Sequence, residues 1–139
     1  MAGPPRLLSS RVERVALLVA AALEIAVGFI PQFGGPGYES ALAGGLILPS
    51  VAAIATALLV SKQLTANGQR LTANNGQRLT AFDALGRGVA LGAVIATLGA
   101  VIATLHGFRT GFCDAPLGYE LWATGPGPGT VMGGAWGAG

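Results

Sequence analysis

Gly88 to Phe108 reads GVALGAVIATLGAVIATLHGF, a run of 21 residues without Asp, Glu, Lys or Arg. Wound as a helix it extends roughly 30 Å, the thickness of a bilayer's hydrocarbon core. Few soluble folds use a helix of that length and composition, so the segment predicts a membrane span. It contains GAVIATL twice without a gap, at 92–98 and 99–105. On a helical wheel Gly92, Ala96, Gly99 and Ala103 form one narrow stripe. Ala93, Thr97, Ala100 and Thr104 form an adjoining one. Leu91, Val94, Ile95, Leu98, Val101, Ile102 and Leu105 take the opposite side. Helices in lipid associate by close approach at small residues. The small face is therefore expected against a neighbouring helix and the bulky face against lipid.

Composition agrees. Only 10% of the 139 residues are charged, against about 25% in a typical soluble domain. The net charge of +2 comes without a basic cluster, which gives no indication of nucleic-acid binding. The single Cys113 cannot form an intramolecular disulfide and leaves the redox compartment open.

Two further apolar segments precede the duplicated one. Val15 to Ile30 carries one charge, Glu24, and Pro31 ends it. A basic start (Arg6, Arg11, Arg14) before an apolar run also describes a signal peptide. Glu24 inside the run, and the lack of a following A-x-A site, favour a retained first span. PQFGGPGYES at 31–40 forms a tight connection. Ala41 to Val60, without charges, is the second span. Ala41, Gly45, Pro49, Ala52 and Thr56 share a small face there, and Pro49 is expected to kink the helix.

Residues 61–87 form the long polar stretch, with LTANGQR at 64–70, LTANNGQR at 71–78 and LTA at 79–81. Asn67-Gly68 and Asn75-Gly76 are turn signals. Copies of unequal length predict a loop, and Thr80 to Asp83 resembles the start of a capping box for the next helix. Beyond Phe108, Tyr119 and Trp122 suit a membrane interface. Gly125-Pro-Gly-Pro-Gly129 is expected to break any helix, leaving 130–139 as a re-entrant segment, a surface segment or the start of a further span. Seven of the eight basic residues fall in the N-terminal segment and the 61–87 loop. The positive-inside rule puts both in the cytoplasm and the tail on the other side.

Glu24 is the foremost candidate for chemistry. An ionisable residue inside a span is costly and normally faces the bundle or a cavity. Leu17, Ala20, Ala21 and Gly28 share its face. Such a carboxylate can exchange a proton for a cationic substrate or relay protons. The competing reading is structural, a hydrogen bond to Thr56, Thr97 or a backbone carbonyl. His106, Arg109, Cys113, Asp114 and Glu120 gather at the far end of the third span, but their spacing matches no metal site. No base lies near Cys113 to make it a nucleophile. The chain has no GxxxxGK, CxxC or HExxH, and GPGPG follows no strand. Neither an enzyme nor a cofactor is indicated.

Two resemblances follow from these residues. Ala22-Leu-Glu24-Ile-Ala-Val-Gly28-Phe-Ile-Pro31 resembles the first span of small multidrug-resistance-type transporters and their four-span relatives. That resemblance implies that Glu24 binds protons and cationic drugs in turn, in a dimer. The chain departs from the family in its repeat loop and in its Gly/Pro-broken fourth segment. The stretches FGGPGYESALAGGLILP (33–49), HGFRTGFCD (106–114) and LWATGPGPG (121–129) resemble the N-terminal membrane region of uncharacterised multi-span bacterial permease-like proteins. This second resemblance implies further spans after Gly139 and transfers no functional residue.

The expectation is thus an all-α polytopic transmembrane bundle in a bacterial inner membrane. Its spans lie at about 15–31, 41–60 and 88–108, with a candidate fourth in the tail 109–139. Packing falls to Gly45, Ala52, Thr56, Gly92, Ala96, Gly99 and Ala103, and proton or cation coupling to Glu24. Its partners are the lipid bilayer and either further copies of the chain or other membrane subunits. The expected role is transport, as a small proton-coupled carrier or as the membrane part of a permease. The alternative is a non-catalytic structural or assembly subunit of a membrane complex.

Overall fold

The computed structural model describes residues 10–33, 35, 37–71, 81–111 and 114–139, and of 66–71 the backbone alone. The second repeat copy beyond Leu71, Thr80 and Cys113 lie outside the described residues. All regular elements described are helical: α1 (Arg11–Gly28), a single 3₁₀ turn (Pro31–Phe33), α2 (Tyr38–Leu71), α3 (Ala81–Thr110), α4 (Ala115–Thr124) and α5 (Pro126–Trp136).

Local chemistry sets the helix ends. The Ser10 hydroxyl accepts from the Glu13 N–H, and the Glu13 carboxylate accepts from the Ser10 N–H. This reciprocal box satisfies two backbone donors and starts α1 at Arg11, four residues before the expected span. Asp114 caps α4 by accepting from the Leu117 N–H. The GPGPG stretch does not break the helical path as expected. The break is confined to Gly125, and α5 begins at Pro126. Helix positions N1 to N3 have N–H groups with no partner inside the helix, so Pro126 and Pro128 forfeit no helical bond there. Both described ends of the expected polar loop are helical. The helix of α2 continues through the first repeat copy to Leu71, and α3 starts at Ala81.

Four helical rods run up, down, up and down, counting α4 and α5 as one. Glu13 near the start of α1 pairs with Arg87 near the start of α3, while Arg109 at the end of α3 donates to the Gly28 carbonyl at the end of α1. Those two helices are therefore parallel. The last rod returns beside α3, from Tyr119 against Thr104 to Gly134 against Gly88. The tail, for which a surface, a re-entrant and a fourth-span course were all expected, comes back toward the end where α1 begins.

Two helices, Tyr38–Thr65 and Ala81–Thr110, are long and apolar enough to cross a membrane. The first expected span does not join them on that measure. Its helix ends at Gly28 and carries Arg11, Glu13, Arg14 and Glu24 within 18 residues.

The hydrophobic core is built by α1, α2, α3 and α4, around Ala20, Leu48, Ala52, Leu91, Ile95 and Trp122. The last helix approaches its neighbours backbone to backbone. A Cβ added at Gly92 would lie 2.5 Å from the Thr130 carbonyl oxygen, and one at Gly133 would lie 2.9 Å from the Pro49 Cα. Gly88 and Gly134 meet each other in the same way. Contact this close explains why α5, made of PGPGTVMGGAW, needs no large side chain to pack.

The wheel's division of α3 needs correction. Gly92, Gly99 and Ala103 are buried and Ala96 is half-buried, as the small face requires. Leu91, Ile95 and Ile102, however, are buried rather than turned to lipid. The reason is that α3 touches α1, α2 and α5 together, so its buried arc is wider than one stripe. The adjoining stripe is divided, with Ala93 and Thr97 exposed and Ala100 and Thr104 partly buried. On α2, Ala52 and Thr56 are buried, but Gly45 is exposed, loosely beside Pro126. Its neighbour Gly44 makes the close contact instead.

Candidate functional site

The buried face of α1 is Glu13, Ala16, Ala20, Glu24 and Gly28, spaced three and four apart. That periodicity carries Glu24 into the bundle, as the sequence implies. Its side chain is only 6% exposed. The Oε1 atom meets Gly44 on α2, where an added Cβ would lie 3.4 Å from it and 3.2 Å from Cζ2 of Trp122. The glycine thus leaves room for both side chains. Trp122 reaches in from α4 and also covers Gly99, in a layer shared with Leu48.

Three buried polar atoms have no hydrogen-bond partner among the described residues: Oε1 of Glu24, Nε1 of Trp122 and Oγ1 of Thr56. The structural alternative for Glu24 is therefore not met through the expected hydroxyls. Thr56 makes no such bond, and Thr97 points outward and donates to the Ala93 carbonyl at 2.8 Å. A buried polar atom left unpaired costs about 1–3 kcal/mol, so a free carboxylate oxygen inside a bundle stands out as a place where a ligand or proton can act. Among the described residues no cation is ion-paired with Glu24.

Trp122 departs from its expected place. Rather than sitting at a membrane interface, it is 5% exposed and part of the core. Its register explains this, since Gly118 and Trp122 form the buried face of α4. Tyr119 stays on the rim, its hydroxyl 3.1 Å from that of Thr104. Gly118, four residues before Trp122, and Gly125, three after it, leave that side of the helix without bulk and were the available signal for an inward role.

The second expected group disperses. His106 is buried edge-on against Phe29, with ring centroids 5.3 Å apart, and fills the space at Gly28. Arg109 donates to the Gly28 carbonyl at 2.7 Å and lies 4.5 Å over the Phe29 ring. Asp114 caps α4 and Glu120 is exposed. No three His, Cys, Asp or Glu side chains gather among the described residues. His106 and Arg109 instead lock the end of α1 to α3, close to the helical turn that bears Glu24.

Glu13, which the sequence reading passed over, is the other buried carboxylate of α1. It forms a 2.9 Å ion pair with Arg87. Burial pushes its carboxyl upward, but the Ser10 N–H, the Arg87 guanidinium and the Ser10 hydroxyl outweigh that and hold it below its ordinary value. The signal was present as Ser10-x-x-Glu13 just before an apolar run. The two carboxylates of one helix face are thus opposites: one fully engaged, one with an oxygen free.

No family model, curated protein or solved structure is significantly similar to this chain.

Proposed function

We propose that this chain is an integral membrane protein of a transport system, in which Glu24 binds a proton and a cationic substrate in turn. The observation that carries this reading is the buried Oε1 of Glu24, unpartnered and flanked by Gly44 and Trp122. A carboxylate in an apolar interior requires neutralisation, and a proton and a cation compete for the same oxygens. The Trp122 ring, which meets the same glycine, supplies an aromatic group of the kind that attracts an organic cation. The reading agrees with what the resemblance to small multidrug-resistance-type transporters implies for Glu24.

Membrane residence is supported beyond the two long apolar helices. Leu18, Leu46, Leu105 and Met132 are all at least 60% exposed and lie on four different rods. An apolar belt around a bundle suits lipid and not water. On this reading α1 and the α4–α5 rod also cross, because the charges of α1 sit at its N-terminal end or face the interior. The N-terminus and the 61–87 segment then face the cytoplasm.

The exposed Ala93 and Thr97 favour one alternative, a non-transporting assembly subunit that meets partners through that stripe. Reconstitution separates the two. Proteoliposomes with an imposed pH gradient should take up or expel tetraphenylphosphonium, and Glu24→Gln should abolish the flux while leaving membrane insertion intact. Flux that is unchanged in Glu24→Gln removes the coupling role. Stable co-purification with a membrane partner, without flux, supports the alternative.

A further inference from the structure

An open groove of about 390 Å³ runs along the outer surface between α1 and α2, at the end where α1 begins. Val15 and Val19 form one wall, and Ile54 and Leu58 the other. All four are at least 43% exposed, so nothing in the chain described covers them. Arg11 and Lys62 line the same groove. Neither is in an ion pair among the described residues, because the nearby Glu13 is turned to the other face and held by Arg87. The surface thus combines an apolar slot with two cations at one end.

We infer that this groove binds an anionic diacyl phospholipid, with the headgroup phosphate between Arg11 and Lys62 and one acyl chain along Val15, Val19, Ile54 and Leu58. The charge pattern selects this occupant. A second copy of the chain would bring its own Arg11 and Lys62 to the same end and meet no acid there. A neutral lipid would leave the two cations without a counter-charge. Both long side chains can extend their charged ends toward the headgroup level while their stems stay on apolar surface. Basic pockets between helices on the cytoplasmic side suit anionic headgroups, and the proposed orientation puts this groove on that side. From Arg11 to Val19 the helix rises roughly 12 Å, enough for the upper part of an acyl chain.

The inference rests on the membrane reading of the preceding section, and the two fail in different ways. The test is native mass spectrometry of detergent-purified protein supplied with phosphatidylglycerol and phosphatidylcholine of identical acyl chains. Wild type should retain phosphatidylglycerol roughly tenfold better, in line with two cations near an anionic headgroup. Arg11→Gln with Lys62→Gln should bring the ratio close to one, with helical content by circular dichroism unchanged. Ile54→Trp should lower occupancy by filling the slot while both charges remain. Equal retention of the two lipids by wild type overturns the inference, as does an undiminished preference in the double variant. A lipid-free dimer dissociated by Ile54→Trp assigns the groove to a second copy and also overturns it. Alkaline extraction of native membranes separates the failures. Protein released to the supernatant sinks the membrane reading and this inference together. Protein retained in the membrane but without lipid preference sinks this inference alone.

Discussion

Helix α3 holds its parallel neighbour α1 and its antiparallel neighbour α5 by different means. Against α5 it presents bare backbone, with Gly88 on Gly134 and Gly92 on Thr130. Against α1 it uses polar clasps at the two ends, Arg87 to Glu13 and Arg109 to the Gly28 carbonyl. The first interface is short-range and tolerates no added atom. The second depends on a few polar and charged groups at its ends, with His106 filling the space at Gly28. The difference follows from the elements being joined. The α5 sequence has little side-chain bulk to bury, so it stabilises only by close approach. In contrast, α1 must bring a carboxylate inside and anchors its ends to do so.

The strongest challenge to this contrast is bulk at the glycine seam. Gly88→Val should destabilise the bundle by about 3 kcal/mol or more, because the obstructing atoms are the backbone of Gly134 and cannot rotate away. Unfolding titrated with sodium dodecyl sulfate measures this, and a loss below 1 kcal/mol would show that α5 is not seated as described. Next, Gly99→Leu should disrupt packing more than Leu98→Ala, by about 2 kcal/mol in the same assay. An added Cβ at Gly99 already lies 2.6 Å from Leu48 Cδ1 and 2.8 Å from Trp122 Cη2. Equal effects would refute the inward assignment of that stripe.

The clasp is smaller. Glu13→Gln should cost about 2 kcal/mol, below the cost of breaking a fully buried pair, because the Arg87 side chain is 22% exposed. Its pH dependence has a definite sign. A carboxyl held below its ordinary value in the folded state stabilises that state above the ordinary carboxylate range, and the stabilisation is lost as pH falls through the folded value. Thermal unfolding of wild type should therefore fall off in acid more steeply than that of Glu13→Gln. Parallel curves would mean that the pair contributes nothing. Smallest and opposite in sign is Gly86→Ala, on α3 but outside the seam. No atom lies within 4 Å of a Cβ added there, so the substitution should stabilise by about 0.5–1 kcal/mol through helix propensity alone.

Periodicity made much of this legible. The inward position of Glu24 follows from residues three and four apart on one helix, and the helical character of 41–60 and 88–108 from length and hydropathy. The seven-residue duplication falls only about 20° short of two full turns, so Gly92 and Gly99, and Ile95 and Ile102, had to share faces, and both pairs are buried. The first repeat copy and the GPGPG stretch misled because turn propensity is a local prior that neighbouring structure overrides. Asn67-Gly68 lies within α2, and two prolines open α5 instead of preventing it. Trp122 misled for a different reason. Its amphipathic ring suits an interface, but its place on α4 is set by the buried register it shares with Gly118.

By itself the sequence determined that the chain is helical and apolar, that the helices around 41–60 and 88–108 are long and apolar enough to cross a membrane, and which face of α1 bears Glu24. Those properties depend on periodicity and composition, which are carried within each segment. Only the tertiary structure decided which faces of α3 are buried, that the tail returns as a fourth rod, and that Glu13 is paired while Glu24 keeps an unpartnered oxygen. These depend on how many neighbours each helix has and on which residues of distant segments reach the same level, and no single segment contains that information.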